Sequence, residues 1–391
     1  MAGMLLGSRT WPIALDVGTE SIRMLQLARS GDVIRAVACA RWGFPDSLGA
    51  DAGVRRAAAV EAVGQMVRAN GFKGRRVITA LPCSALSIQN LRLAPTSPEQ
   101  TERVVRSEAS ERVGFPVSGN QLNYLNAGQV RSGDEVRNEI ILLAAPEEVI
   151  QDHLAMLGEM NLEAEYIEAE PIALFRNLER YLQRERDVDA VSVAADIGVR
   201  GTCVVVARGR DIVFLKFIDI GGRRMTEAVA RQLNLDYQEA RDIRRRLAYS
   251  QDTQRDPERR EEDRALPGDS TSVEWTIRDA MRTEVEALCR EISLCLRYCA
   301  VTFRGLRPHR IVLSGGEARN PLCVEMISDQ LGLESAVVQP LRSVDTSGVD
   351  FGEDRRSMMT DWALCAGMAF RQAGSAQEEQ ESSGDDRRLS A

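Results

Sequence analysis

Short apolar runs and alternating stretches dominate the first half of the chain and predict strands. Residues 13–17 form a mostly apolar run, and residues 21–27 and 33–40 flank a polar turn at 30–32. Alternation with a period of two is typical of half-buried strands, and a short polar turn joins two such strands antiparallel. The same reasoning predicts further strands at 76–81, 87–93, 121–127, 136–145 and 163–168.

Helical periodicity separates these strands. It is clearest from Ser97 to Val113, where Ser97 is a good N-cap, Pro98 suits the first helical position and Gln100 completes a capping box. The Gly-Phe-Pro sequence at 114–116 ends this helix. Further helices are predicted at 54–70, 146–160 and 171–186.

The second half repeats the three-strand pattern of the first. Strands are predicted at 191–196, 202–207 and 212–218, and the pair Gly221-Gly222 opens a helix. Strands that alternate with helices indicate an α/β fold. The other elements predicted in this half are polar loops at 248–272 and 341–357, helices at 273–303, 321–332 and 359–372, and strands at 310–313 and 335–338.

The two halves share a short motif. Asp16-Val17-Gly18-Thr19 recurs as Asp196-Ile197-Gly198, with Thr202 close behind, and each copy joins two apolar strands. A strand-turn-strand that is duplicated at about half the chain length predicts two related domains. The cleft between them is expected to hold one ligand between two matching turns.

Composition limits the class of protein. The 391 residues suffice for about two domains, and no apolar run is long enough to span a membrane. The net charge of −8 argues against nucleic acid as the main partner. The start of the chain lacks the layout of a signal peptide, and the eight cysteines are scattered without a CxxC pair. We therefore expect a cytoplasmic protein with buried thiols.

The repeated turn has the chemistry of a phosphate site. An unpaired carboxylate at the end of a buried strand is costly, so Asp16 and Asp196 are candidates to order a Mg²⁺ ion or its waters. Glycine lets backbone N–H groups approach a phosphate, and hydroxyl groups add donors. The alternative is a plain hairpin in which Asp16 bonds its own backbone. The candidate phosphate contacts are Gly18, Thr19, Ser21, Arg23, Gly198 and Thr202.

A third strand runs into a glycine turn in the second half. Ser314-Gly315-Gly316-Glu317 follows the apolar residues 311–313. Glycines at such a turn allow a flat ring or a ribose to lie against the backbone. Gly315, Gly316 and Glu317 are therefore candidate contacts of the same ligand. No P-loop with its lysine occurs in the sequence, so phosphate binding must rely on turns of this kind.

With these three turns and the segment Glu168 to Ala173, the chain resembles the actin-like ATPase superfamily. The resemblance implies an actin-like ATPase fold with two duplicated domains around a nucleotide cleft, and ATP with Mg²⁺ as the ligand. The segment looks like the connecting motif of chaperone ATPases, which makes Glu170 the candidate for polarising the attacking water. The residues alone also fit a helix start, with Glu170 as the cap and Pro171 at the first position.

Further motifs, in the same order over roughly residues 12–372, resemble the PilM family of type IV pilus assembly proteins. Ser107 to Val117 looks like a helix that ends in Ile-Pro-Phe-Pro in that family. Gly221 to Glu227, with 237–244 further on, resembles a stretch shared with the division protein FtsA. The resemblance adds Gly221, Gly222 and Arg244 to the candidate nucleotide contacts.

Two positions depart from the pattern of these relatives. Arg23 stands where the first loop has a lysine, and Arg241 stands where the later segment has an acid. Arginine keeps the charge of lysine but carries a wider, planar head. Recognition of the adenosine is therefore expected to differ, unless residues 241–246 are simply a solvated helix face.

The resemblance implies a cytoplasmic scaffold of the inner-membrane platform of a type IV pilus or a related type II secretion system. Its partner would be the cytoplasmic N-terminal segment of a PilN-like single-span membrane protein, and the membrane would be reached only through that partner. Pilus motor or platform proteins and self-association are further expected contacts, and ATPase activity is expected to be weak at most. The alternatives are an FtsA-like polymerising protein and a metabolic kinase of the same fold.

The expected organisation follows from the repeat and the resemblance. The partner peptide is expected to dock in the first half, near an inserted α+β subdomain. The predicted bounds are 11–190 for the first domain with the insert at about 83–165, 191–358 for the second domain, 359–373 for a helix that returns to the first domain, and 374–391 for a disordered tail.

Overall fold

The computed structural model describes residues 9–117, 119–132, 135–180, 190–253, 270–303, 307–308, 310–352, 354 and 358–373. Its strands are β1 (Arg9–Thr10), β2 (Ile13–Val17), β3 (Ser21–Ser30), β4 (Val33–Gly43), β5 (Arg76–Leu81), β6 (Ser87–Leu93), β7 (Leu122–Ser132), β8 (Glu135–Ala144), β9 (Glu163–Ala169), β10 (Val191–Ile197), β11 (Thr202–Arg208), β12 (Asp211–Ile218), β13 (Arg310–Ser314) and β14 (Glu334–Val337). Its helices are α1 (Ala52–Ala69), α2 (Pro98–Val113), α3 (Glu147–Glu159), α4 (Glu170–Glu179), α5 (Gly222–Leu233), α6 (Tyr237–Thr253), α7 (Ser270–Thr302), α8 (Pro321–Leu331) and α9 (Ala363–Ala369).

The two halves contain sheets of the same topology. The first sheet has the order β4-β3-β2-β5-β9, with β1 pairing the far end of β3, and the second has the order β12-β11-β10-β13-β14. In each sheet an antiparallel hairpin is followed by a parallel pair: β2 with β5, and β10 with β13. The duplication predicted from the repeated motif is therefore confirmed at the level of strand order.

A smaller antiparallel sheet lies between β5 and α3 in the chain. Its order is β6-β8-β7, and α2 covers one face, where Val105 packs on Leu91, Ile140 and Leu142. The helix α3 instead buries Leu157 in the core of the first sheet. This small sheet also contacts the second half, because the buried carboxylate of Glu139 accepts a hydrogen bond of 3.0 Å from the Tyr298 hydroxyl.

Two helices cross where the chain passes between the halves. The helix α4 leads from β9 toward the second sheet, and α9 packs against β2 and β3. Their crossing is close: a Cβ atom on Gly367 would lie 2.7 Å from the carbonyl carbon of Ala173. Only glycine fits at that point, so the contact fixes how the two helices pass each other.

The structure corrects the predicted loop at 248–272. The helix α6 continues to Thr253, and α7 already begins at Ser270. Charged residues are compatible with a helix that needs no second apolar face, so polarity alone did not indicate a loop here. The middle of that loop, residues 254–269, and the predicted disordered tail at 374–391 lie outside the described residues. Among the described helices, none is both long and apolar enough to cross a membrane.

Candidate functional site

The two copies of the repeated motif form matching turns. In the first, the N–H of Gly18 donates to the carbonyl of Ser21 over 3.0 Å. In the second, the N–H of Gly198 donates to the carbonyl of Gly201 over 2.9 Å. Each turn places its aspartate at the end of the preceding strand. The backbone closes the first turn without the carboxylate, which accepts from Arg23 instead. The alternative of a plain hairpin in which Asp16 bonds its own backbone is therefore not what the structure shows.

Asp16 lies in a buried ion-pair chain. It faces Arg23 across the β2–β3 ladder, and the Nη1 atom of Arg23 lies 3.3 Å from its Oδ2 atom. The Nη2 atom of Arg23 is 2.6 Å from the Oδ2 atom of Asp361, which follows the last polar loop. Burial raises the pKa of Asp16, and the attraction of Arg23 only partly offsets it. The predicted phosphate ligand Arg23 is therefore already shared between two carboxylates.

Asp361 connects this series of ion pairs to both halves of the protein. Arg41 of β4 reaches it over 3.3 Å, and so does Arg319, which follows the glycine turn of β13. Both arginines also contact Asp354. Burial acts to raise the pKa of Asp361, but its arginine neighbours outweigh burial and hold it below the usual range. The sequence analysis missed Asp361, because only the fold brings the end of the chain to β3.

Asp196 has a hydroxyl partner instead of a cation. The Oγ atom of Ser314 donates to its Oδ1 atom over 2.7 Å, because the two residues are in register between the parallel strands β10 and β13. Burial raises the pKa of Asp196 to about 6, despite that hydrogen bond. The negative charge of Asp16 contributes in the same direction, so the two repeated aspartates lie close enough to repel each other.

Glu170 belongs to the same group of acids. It is the first residue of α4, and its Oε2 atom accepts the backbone N–H of Cys83. Burial raises the pKa of Glu170 to about 8, and the charges of Asp196 and Asp16 add to the effect. A helix starts here as predicted, but the N-cap is Ala169, so Glu170 is the first helical residue and Pro171 the second. A carboxyl group with this pKa is mostly protonated at neutral pH, so it accepts a proton readily only when a nearby cation stabilises its ionised form.

The predicted glycines hold three turns together. The N–H of Gly222 donates to the carbonyl of Gly198 over 2.9 Å, and a Cβ atom on Gly221 would lie 2.7 Å from the nitrogen of Gly201. Gly315 has a φ of +86° and would bring a Cβ atom within 2.5 Å of the Ile197 carbonyl oxygen. These glycines are needed for backbone contact between turns. A Cβ atom on Gly316 would meet nothing within 4 Å, so this side of the turn is open.

Some predicted ligand contacts instead bond within the second half. The hydroxyl of Thr202 is fully buried and donates to the Ile220 carbonyl over 2.7 Å. The guanidinium of Arg244 is buried, donates to Thr226 over 2.6 Å and forms an ion pair with Glu317. The structure thus brings together Arg244 and Glu317, which were each predicted to contact the ligand, and pairs them with each other. Thr19 and Ser21 lie within the first turn, where the Ser21 carbonyl accepts the Gly18 N–H and the Thr19 carbonyl accepts from Arg55.

The donor set fits a magnesium-nucleotide complex better than a bare metal ion. Among the described residues, no three histidine, cysteine, aspartate or glutamate side chains form a ligand group. Magnesium ions, however, are usually held by one or two carboxylates and complete their coordination with waters and phosphate oxygens. Asp16 and Asp196 supply that number of carboxylates at the two turns, and burial raises the pKa of both.

Comparison with known proteins identifies the family and the fold. The family model of the type IV pilus assembly protein PilM matches residues 14–256, more than half of the chain. A chain in the structure of a PilM-PilN type IV pilus biogenesis complex is similar, with 22% identity, a TM-score of 0.71 and coverage of 92% of this chain and 98% of that one. The ethanolamine utilization protein EutJ from Carboxydothermus hydrogenoformans has 15% identity and a TM-score of 0.52, with coverage of 93% and 90%. The fold is accordingly the actin-like ATPase fold.

Proposed function

Because the chain belongs to the PilM family of type IV pilus assembly proteins, we propose that it is an ATP-binding scaffold of the inner-membrane assembly platform. The observation that carries the nucleotide part is the meeting of two matching turns at Asp16, Asp196 and Glu170. The magnesium ion of bound Mg·ATP would supply positive charge beside these acids and relieve their repulsion. Nucleotide binding would in this way favour closure of the two halves.

Each element of the site has a proposed role. Asp16 and Asp196 hold the magnesium ion through its waters, and the turns at Gly18 and Gly198 flank the phosphates with backbone N–H groups. Gly315 and Gly316 leave room for the adenosine against the backbone, next to the Arg244–Glu317 ion pair. Thr202, Gly221 and Gly222 support the second turn from behind.

We infer that ATP hydrolysis is weak. We propose that Glu170 orients the attacking water, and its pKa of about 8 in the absence of nucleotide means that it must first lose a proton at neutral pH. A protonated carboxyl is a poor general base. This supports a role for ATP as a conformational ligand between the halves, rather than as a fuel that is consumed quickly.

A groove beside the small sheet supports the proposed peptide partner. It has a volume of about 330 Å³ and lies between the end of β5 and the helix α3. Apolar atoms dominate its lining, and two acids stand at its rim. Its lining residues are Leu81, Pro82, Ala85, Glu148, Val149, Asp152, His153 and Met156.

A groove of this size fits a few side chains of an extended segment. The occupant proposed is the cytoplasmic N-terminal segment of a PilN-like single-span membrane protein, consistent with the PilM-PilN complex whose PilM chain this protein resembles. The protein would then be cytoplasmic and peripheral to the inner membrane through that partner.

The nucleotide proposal is tested by removing one charge at the second turn. Asp196→Asn keeps the shape and the hydrogen bond from Ser314 but loses the carboxylate. We expect at least a tenfold loss of Mg·ATP affinity in calorimetry, equivalent to about 1.4 kcal/mol. The control is Asp279→Asn, at a position on α7 away from the turns. Equal affinity of the Asp196→Asn variant and the parent would contradict the proposal.

A further inference from the structure

Four charged side chains face each other at the mouth of the cleft. Arg241 and Arg245 lie four residues apart on α6, so they share one face of that helix. Glu20 belongs to the first turn, next to Gly18 and Thr19, and Asp46 follows β4. The two arginines therefore come from the second half and the two acids from the first.

The distances show three ion pairs between the two halves. The Nη2 atom of Arg241 lies 2.5 Å from the Oδ2 atom of Asp46, and its Nη1 atom lies 4.0 Å from Glu20. The Nη2 atom of Arg245 lies 2.6 Å from the Oε2 atom of Glu20. These contacts attach the second half to the same turn that is proposed to hold phosphate.

The acidic side of this contact is rigid. The N–H of Phe44 donates to the carbonyl of Glu20 over 2.9 Å, which joins the first turn to the end of β4 just before Asp46. The guanidinium of Arg55 stacks on the Phe44 ring and also bonds the Thr19 carbonyl. A displacement of Glu20 or Asp46 would therefore also move the backbone of the first turn.

The two arginine side chains are also held in this contact, to different degrees. The side chain of Arg241 is only 12% exposed, and its hydrogen bond to Asp46 lowers the pKa of that acid. Arg245 is about half exposed, with 46% of its side chain accessible. Pairs of this kind are weak individually and are screened by salt, so they can break and re-form. Two of the arginines at Asp361, Arg23 and Arg319, are by contrast mostly buried, with 11% of each side chain exposed.

We propose that Arg241, Arg245, Glu20 and Asp46 form a salt-sensitive latch that ties the two halves together at the mouth of the cleft. Opening the cleft breaks these pairs, while the buried ion pairs of Asp361 keep the floor of the cleft together. The latch goes beyond the proposed nucleotide binding and does not depend on it. It also gives Arg241 a role that its position in a solvated helix face would not require.

Spin labels on the two halves test the latch directly. Val54 on α1 and Trp275 on α7 are 48% and 63% exposed, and all eight native cysteines are buried, so Val54→Cys and Trp275→Cys provide selective label sites. The distribution of distances between the two labels is measured by pulsed electron paramagnetic resonance on the whole chain, at low and high salt and without added nucleotide. Neutralising variants are Arg241→Gln, Arg245→Gln and Glu20→Gln.

At low salt the neutralising variants are expected to shift the distribution to longer distances. The parent should show the same shift at about 1 M salt, where the Debye length falls to about 3 Å. Glu20→Gln and Arg245→Gln together should shift the distribution no further than Glu20→Gln alone, because that change already removes the pair with Arg245. The matched control is Arg278→Gln, which removes ion pairs to Glu325 and Asp329 within the second half.

Two outcomes would overturn the latch. One is a distance distribution that, at low salt, is the same in all neutralising variants as in the parent. The other is an equal shift in the Arg278→Gln control, which would mean that any loss of charge loosens the protein. Neither outcome touches the nucleotide proposal, because no nucleotide is present in the measurement.

Discussion

Individual carboxylates at the cleft differ because their neighbours differ. Asp361 is surrounded by arginines and keeps a pKa below the usual range. Among the described residues Asp196 bonds the Ser314 hydroxyl and Glu170 a backbone N–H, neither of them a cation, so burial raises their pKa values to about 6 and about 8. Asp16 does pair with Arg23, but burial still raises its pKa. These three acids, unlike Asp361, are the ones proposed to face the magnesium ion and the attacking water.

Glu170 gives a pH-dependent prediction. Its pKa is raised in the folded state, so the folded protein holds the proton more tightly than the unfolded chain does. The free energy of unfolding should therefore fall as the pH rises from about 5 toward 8. Each unit of pKa shift corresponds to about 1.4 kcal/mol. Glu170→Gln removes this titration, and urea denaturation without nucleotide should find it more stable than the parent at pH 9 but not at pH 5.

The conservative nature of this change supplies its own check. Glutamine keeps the oxygen that accepts the Cys83 N–H, so loss of that hydrogen bond is not expected to obscure the result. A variant that gains equally at both pH values would show that the effect is one of packing. In the same variant any ATP hydrolysis should disappear while Mg·ATP binding persists.

At the scale of elements, the crossing of α4 and α9 and the packing of three glycine turns position the site. Both depend on close backbone approach rather than on side-chain contacts. On one side of the crossing the buried core belongs to the first sheet, and on the other it includes strands of the second sheet and of the small sheet, so the two helices help to connect the halves. Small residues at the crossing are therefore a structural requirement, not a sign of a loosely packed helix.

Gly367→Ala tests this crossing. The added Cβ atom would overlap the carbonyl group of Ala173 on α4, which forces the helices apart. Overpacking of this kind costs about 1–3 kcal/mol, and we expect that loss in urea denaturation. The matched control is Gly158→Ala on α3, where a Cβ atom meets nothing within 4 Å. There the greater helix propensity of alanine should add up to about 1 kcal/mol. Equal effects at the two positions would contradict the packing argument.

At the scale of the whole molecule, the proposed functions occupy different places. The nucleotide turns lie between the halves, whereas the proposed peptide groove lies on the first half between β5 and α3. The strand β5 and the residue Cys83 that follows it link the two, because the backbone N–H of Cys83 bonds Glu170. The small sheet also touches α7 through Tyr298, so this part of the first half contacts the second half.

Ala85→Trp tests the peptide groove. The larger side chain should fill the space between β5 and α3 and weaken binding of a labelled PilN-like N-terminal peptide at least tenfold in fluorescence polarisation. Ala155→Trp is the control, because Ala155 is exposed on α3, the helix that forms one side of the groove, and does not line the groove itself. Mg·ATP binding should be unchanged in both variants. Unimpaired peptide binding by the Ala85→Trp variant would remove the groove as the partner site.

Much of the fold was predictable because its signals are local. The alternation in β3 and β4, the capping residues Ser97 and Pro98 and the duplicated motif each lie within a few residues, and the structure confirms the elements that they predict. The prediction of a loop at 248–272 was wrong at both ends, where the structure has helix. A charged segment can be helical when only one face of the helix packs against apolar residues.

By itself, then, the sequence determined the duplicated α/β fold, its family and which acids stand at the ends of the two key strands. Only the tertiary structure decided their partners. Asp361 meets Arg23 across 338 positions of the chain, and Arg241 reaches Asp46 across 195. Such pairs leave no local pattern, because their energy depends on distance in space and on burial, which a linear sequence does not specify.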